Sequence, residues 1–168
     1  MPNYQSTTAF RYDELGAWID KDPQASKPYT LDWYEFLRGN DDYWSPNAQL
    51  HVNQTTTPSN SKLNGNRYKV VSGGATGNFE PIWPTGSGAT VLDGGVVWQQ
   101  IGLEDAIAVS VWTVAAGITQ VSAGQTGTTT QTQLSGGVAG TSYVIDNRIT
   151  SVAGVIESRK FRLVVSDL

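Results

Sequence analysis

At 168 residues with 39% hydrophobic content, the chain is long enough for one ordinary domain or two small ones, with enough apolar material for a core. A net charge of −4, with 11 Lys and Arg spread thinly, excludes a basic stripe able to neutralise a phosphate backbone, so nucleic acid is not an expected partner. The lack of cysteine excludes disulfides and thiolate metal sites, and 18 Gly, abundant Thr and Ser and no long Ala, Leu, Glu and Lys run predict an all-β protein of short strands and turns.

The opening residues Met1 to Gln5 have neither a charged nor an apolar leader region, and no segment approaches the roughly 20 apolar residues that span a bilayer. The expectation is a soluble product made in the cytoplasm, with no membrane partner. Tyr4 to Ile19 reads as an extended arm with one strand or turn, its aromatics packing on their own domain or on a neighbouring subunit. Asp20-Lys21-Asp22-Pro23 breaks the chain. Tyr29, Leu31 and Trp33 then alternate with Thr30 and Asp32 as in a half-buried strand, which Tyr34 to Arg38 continues or turns, before Gly39 to Asp42 ends it.

Residues 43–78 are loop-rich, with a short strand at Gln49 to Val52 and a better one at Arg67 to Val71. Between Phe79 and Gly102 the backbone is tightly specified. Pro81 and Pro84 fix φ on either side of Trp83 and hold it on a stiff segment where exposure is easy. Ala89 to Val91 and Val96 to Trp98 flank Asp93-Gly94-Gly95, the composition of a tight hairpin turn.

From Asp105 the pattern is cleaner. Ile107, Val109 and Val111 alternate, then Trp112 and Val114 take the opposite parity, a phase switch that predicts a β-bulge. Thr119 to Ser122, Thr128 to Leu134, a strand marked by Tyr143, Ile145 and Ile149, and a last one marked by Phe161, Leu163 and Val165 follow, with glycine turns between them. Five strands at this spacing predict an Ig-like β-sandwich or small barrel.

The frame Lys21-Asp22-Pro23, Asp32-Trp33, Asp105 to Val114, Leu134 to Gly137, Gly140 to Tyr143, Asn147 to Thr150 and Arg159 to Phe161 resembles small structural proteins of tailed bacteriophages. In that family the strand beginning here at Asp105 follows closely on Asp-Trp. The resemblance therefore implies an Ig-like virion-anchoring domain of residues 1–42 plus 104–168, with residues 43–103 an inserted small β module. Tyr68, Gly77, Glu80-Pro81, Trp83-Pro84, Gly88, Asp93-Gly94, Trp98 and Gly102 resemble a short module of phage fibre and capsid-surface proteins, distantly like small carbohydrate-binding modules. Together these imply a non-enzymatic structural protein located in the virion and made in the host cytoplasm. A capsid decoration or head-surface fibre role comes first and a neck, collar or tail-associated role second. The implied partners are other virion proteins, such as major capsid or neck proteins, and further copies of the chain; a glycan-binding adhesion module is the rival reading.

Catalysis has no visible constellation: His51 is the single histidine, and no stretch marks a paired-carboxylate cleft. If the ends of the inserted module meet, Asp41, Asp42, Glu104 and Asp105 converge at its stem, either as a solvated hinge or as a Ca²⁺ site; no other cofactor is expected. Trp83, Trp44 and Phe79 are the candidates for contact with a glycan or a partner protein, whereas Trp98 and Tyr68 read as core.

Overall fold

The computed structural model describes residues 9–39 and 41–167. Its contacts divide the chain into two compact units, the first of residues 1–37 with 105–168 and the second of residues 38–104. In chain order the N-terminal elements are β1 (Arg11–Asp13), β2 (Gly16–Lys21), β3 (Lys27–Asp32) and the short helix α1 (Tyr34–Arg38). The middle of the chain forms β4 (Asp42–Tyr43), β5 (Gln49–Leu50), β6 (Thr55–Thr57), β7 (Asn66–Ser72), β8 (Gly74–Ala75), β9 (Thr90–Asp93) and β10 (Val96–Leu103). The C-terminal run is β11 (Ile107–Val114), β12 (Ile118–Thr126), β13 (Thr129–Gly136), β14 (Ser142–Ser151) and β15 (Ile156–Val165).

The first unit is a β-sandwich. One sheet has the order β1-β2-β15-β14-β11 and the other β12-β13-β3. Among the described residues no sheet closes on itself, which removes the barrel alternative. Strict alternation explains the layering: Tyr143, Ile145, Asn147, Ile149 and Ser151 of β14 all point inward, as do Phe161, Leu163 and Val165 of β15. They meet Tyr29 and Leu31 of β3 and Leu134 of β13 in one apolar core. The Tyr29 and Phe161 rings sit 5.7 Å apart across it. Burial pushes the Tyr29 hydroxyl up to about 12.

A buried polar hub crosses between the two sheets. The Trp33 indole N–H, just beyond β3, donates to Thr130 Oγ1 on β13 and to Asn147 Oδ1 on β14, both at 3.2 Å. Thr130 Oγ1 also donates to Asn147 Oδ1 at 2.7 Å. Asn147 Nδ2 in turn donates to Ser110 Oγ at 2.9 Å and the Val111 carbonyl at 3.2 Å, reaching β11. The Arg159 guanidinium lies 4.0 Å from the Trp33 ring centroid.

The arm folds as a hairpin of β1 and β2, with β2 joining β15 in parallel. Phe10 packs on Phe161 at 4.8 Å, so this aromatic is covered by its own unit; Tyr4 lies outside the described residues. Lys21, read in the sequence as part of a chain break, is the last residue of β2 and is fully buried. Its ammonium donates to the carbonyls of Asp22 at 2.8 Å and Gly136 at 2.7 Å. Burial lowers its pKa. The bulge in β11 falls between Ile107 and Val109, ahead of the phase switch expected between Val111 and Trp112. Val109 and Val111 consequently face solvent while Ile107 and Trp112 face the core.

Replacing Asn147 by Ala removes the acceptor and both donors of the hub at once. It should destabilise the sandwich by about 2–3 kcal/mol in denaturant titration. The neighbouring exposed Arg148→Ala should stay within about 0.5 kcal/mol, and equal effects for the two would refute the hub's importance.

Candidate functional site

The second unit is poor in aliphatic residues and builds its core from rings. Its main sheet has the order β4-β6-β7-β10-β9, with β5 paired to β8 beside it. Tyr68 and Val70 of β7, Trp83 from the proline-rich loop, and Val96 and Trp98 of β10 are all buried. Trp83 lies 4.3 Å from Tyr68 and 5.6 Å from Trp98, centroid to centroid.

Each buried indole needs an acceptor for its N–H, and two carboxylates supply them. Glu80 Oε1 accepts from Trp83 Nε1 at 2.7 Å. The Ser59 backbone N–H at 2.8 Å and its hydroxyl at 2.6 Å complete the Glu80 shell. Burial raises the Glu80 carboxyl, but the hydrogen bonds from Ser59 and Trp83, with Lys62 nearby, outweigh it and hold the pKa below its ordinary value of 4.5. Asp93, also buried, accepts at Oδ2 from Trp98 Nε1 at 3.0 Å and from Trp44 Nε1 at 2.8 Å. Its Oδ1 accepts from the Gly77 N–H at 2.7 Å.

Asp93 occupies this place because the β9–β10 turn is tight. Val96 pairs with Asp93, leaving Gly94 and Gly95 as the turn. Gly94 has a φ of 59°, and a Cβ there would stand 2.6 Å from the Ala75 carbonyl oxygen. The turn is thus pressed against β8, and Gly95 N–H donates to that same carbonyl at 2.8 Å.

Trp44, fixed at its N–H by Asp93, forms with Tyr43 the aromatic wall of a cleft of about 330 Å³ that also takes in Asp42, Gln54, Thr55 and the edge of Trp98. The Arg38 guanidinium stands 4.3 Å from the centroid of the Tyr43 ring. Trp44 N–H of the backbone donates to the Thr57 carbonyl at 2.9 Å, and β4 runs parallel to β6, so one strand pairing positions both rings.

The sequence candidates separate in space. Trp83, expected to be easily exposed between its prolines, is only 8% exposed, because Glu80 captures its N–H and Tyr68 and Trp98 cover its faces. Phe79 is 88% exposed, and its loop neighbour Ile82, which sequence reasoning passed over, is 94% exposed. Asp41 is buried and engaged by Nε and Nη2 of Arg67 and by Thr55 Oγ1 at 2.6 Å. Burial raises the Asp41 carboxyl, but the bonds from Arg67 and Thr55 bring its pKa below the ordinary value. Asp42 is exposed at the cleft, and Glu104 donates its backbone N–H to the Gly65 carbonyl at 2.9 Å. Asp105, in the first unit, accepts the backbone N–H groups of Ala106 at 2.9 Å and Ala153 at 3.0 Å. Among the described residues no three Asp, Glu or His side chains form a group able to hold a metal ion. His51 is exposed.

Comparison with known proteins points to an assembly role. Residues 87–164, just under half of the chain, match the family described as "Podophage GP4 fiber-tail adaptor protein gp77". The protein is a structural component of a phage virion, synthesised in the host cytoplasm and assembled into the particle. The similarity to the fibre-tail adaptor family begins just before the β9–β10 hairpin and runs through β11 to β15. No curated protein and no solved structure matches the chain.

The depressed Glu80 pKa contributes stability that is present above the unfolded-state value of 4.5 and lost as the pH falls through the folded-state value. Tryptophan-fluorescence melts between pH 7 and pH 3 should therefore show a smaller acid-induced loss for Glu80→Gln than for the wild type. An identical acid slope would show that Glu80 is not the source.

Proposed function

We propose that this protein is a tail-associated adaptor of a podophage virion, seated by protein–protein contacts between the tail and a fibre. The observation that carries this reading is the match of residues 87–164 to a family of fibre-tail adaptors, a segment that includes every strand of the sandwich from β11 onward. The head-decoration role that the sequence put first has no support from that match. The tail-associated role takes its place.

The exposed face of the five-stranded sheet suits such a seat. Val109 and Val111 on β11, Val144 on β14 and Ile156 on β15 are each about half exposed there, although alternation puts polar residues on a wet face. Exposed apolar side chains grouped in this way mark contact surfaces. Repetition of the contact in several copies around a symmetric tail lets individually weak interfaces add, so a homo-oligomeric ring is part of the proposal. The two-sheet arrangement, with β2 added in parallel to β15, supports an Ig-like classification of the anchoring unit. The second unit is, in this reading, an insertion between β3 and β11 with a core of its own.

Particles assembled without this protein should have filled heads and lack fibres by negative-stain microscopy. Loss confined to the head surface, with tails and fibres intact, would overturn the adaptor role. For the insertion, joining residue 42 to residue 104 and deleting 43–103 should leave a β-rich circular dichroism spectrum and a protease-resistant sandwich; an unfolded product would refute independent folding of the anchor.

A further inference from the structure

We propose that the cleft beside β4 and β6 in the second unit binds a neutral hexose unit of a surface polysaccharide, with Trp44 as the stacking face. The inference goes beyond the adaptor role and stands independently of it.

Three properties of the cleft select this ligand class. Its volume of about 330 Å³ lies at the small end of ligand sites, the scale of one or two sugar rings rather than of a folded partner. Its wall is aromatic and held still. Trp44 is half-buried with its N–H committed to Asp93 at 2.8 Å, which leaves the ring itself as the feature presented, and Tyr43 is braced by Arg38. A braced ring loses little rotamer freedom when a ligand covers it. The third property is the polar side. Asp42 offers an exposed carboxylate and Gln54 an exposed amide whose Oε1 accepts the His51 N–H, with its NH₂ remaining as a donor. Thr55 and Thr56 donate their hydroxyl protons to Asp41 Oδ1 and the Asp42 carbonyl and keep acceptor lone pairs.

This mixture discriminates among ligands. Among the described residues lining the cleft Asp42 alone is charged, and the nearby Arg38 and Arg67 are engaged with the Tyr43 ring and with Asp41, so a phosphate, a sialic acid or a nucleic-acid strand meets repulsion at the lining itself. A purely apolar ligand would strip water from the carboxylate, amide and hydroxyls without replacing their hydrogen bonds. A neutral sugar ring has one C–H-rich face for the indole and hydroxyls around its edge that both donate and accept, and so satisfies both sides at once.

The test is titration of the full-length protein with neutral di- and trisaccharides of glucose, galactose, mannose and N-acetylglucosamine, followed by the indole N–H resonances in two-dimensional NMR. At least one sugar should shift the Trp44 signal, with free sialic acid inert. Trp44→Ala should weaken that binding at least tenfold. Because this variant also removes a bond to Asp93, Gln54→Ala serves as the second probe; its side chain is exposed, and it should weaken binding several-fold with an unchanged melting temperature. Phe79→Ala, in a loop outside the cleft lining, should bind as the wild type does. No resonance shift with any sugar at millimolar concentration, full retention of binding by both Trp44→Ala and Gln54→Ala, or preferential binding of free sialic acid would each overturn the proposal.

Discussion

The constraint on which the second unit depends is that a core made of tryptophans must find acceptors for its indole N–H groups away from water. Asp93 answers it twice over, taking Trp44 and Trp98 on one carboxylate oxygen and the Gly77 N–H on the other. Glu80 does the same for Trp83, with Ser59 closing the shell. Such buried carboxylates are stabilised by several donors directed at the charge rather than by a single ion pair. The consequence is rigidity in a unit of few aliphatic side chains: each ring is fixed both by packing and at its polar edge. The tightness of the Gly94-Gly95 turn is part of the same arrangement, since it delivers Asp93 to the point where the loop at Gly77 and two strands meet.

The sandwich meets a related problem with a different solution. Its layers are held mainly by alternating apolar side chains, yet one column of the interior is polar and runs from Trp33 through Thr130 and Asn147 to β11. A satisfied network of this kind favours one register, because a one-residue slip of β14 would turn Asn147 outward and leave Trp33 and Thr130 with fewer partners inside. Lys21 has a comparable role at the edge of the core, where carbonyls of its own turn and of Gly136 surround its ammonium. Both devices join segments far apart in sequence, as a sandwich assembled from the two ends of the chain requires.

These two kinds of rigidity suit a protein whose work is geometric. In the proposed adaptor role the protein would transmit load between larger assemblies through fixed surfaces. An outer sheet face on the sandwich that mixes half-exposed valines with charged residues and a braced aromatic cleft in the second unit are different surfaces with different chemistry. The first is the surface proposed for protein contact, the second the one proposed for a small amphiphilic ring.

Much of the local structure was legible in the residues. The alternation of Tyr29, Leu31 and Trp33 and the β9–β10 hairpin follow from period and turn chemistry, which act over a few residues and leave a direct trace. The β11 bulge was legible in kind and placed too late in the strand, because parity shows that a switch occurs while pairing with β14 decides where. Trp83 was read as easily exposed, and Lys21 as part of a chain break rather than as the end of β2. Proline neighbours suggest an exposed ring and the Asp-Lys-Asp-Pro run a break, but Glu80 captures the indole N–H and the distant Gly136 carbonyl accepts from the ammonium. The cleft was legible in Trp44, with Asp42 singled out for a different reason, since Tyr43, Gln54 and Trp98 become neighbours through the parallel pairing of β4 with β6 and the bonds of Trp44 and Trp98 to Asp93. The sequence by itself determined the all-β class, the strand periods and the turns, because these rest on backbone preference and side-chain alternation. Tertiary structure alone decided which rings are core and which are surface, because packing brings acceptors to the Trp33, Trp83 and Trp98 indoles and to the Lys21 ammonium, and buries the Trp112 ring by apolar contact with its N–H left unpartnered.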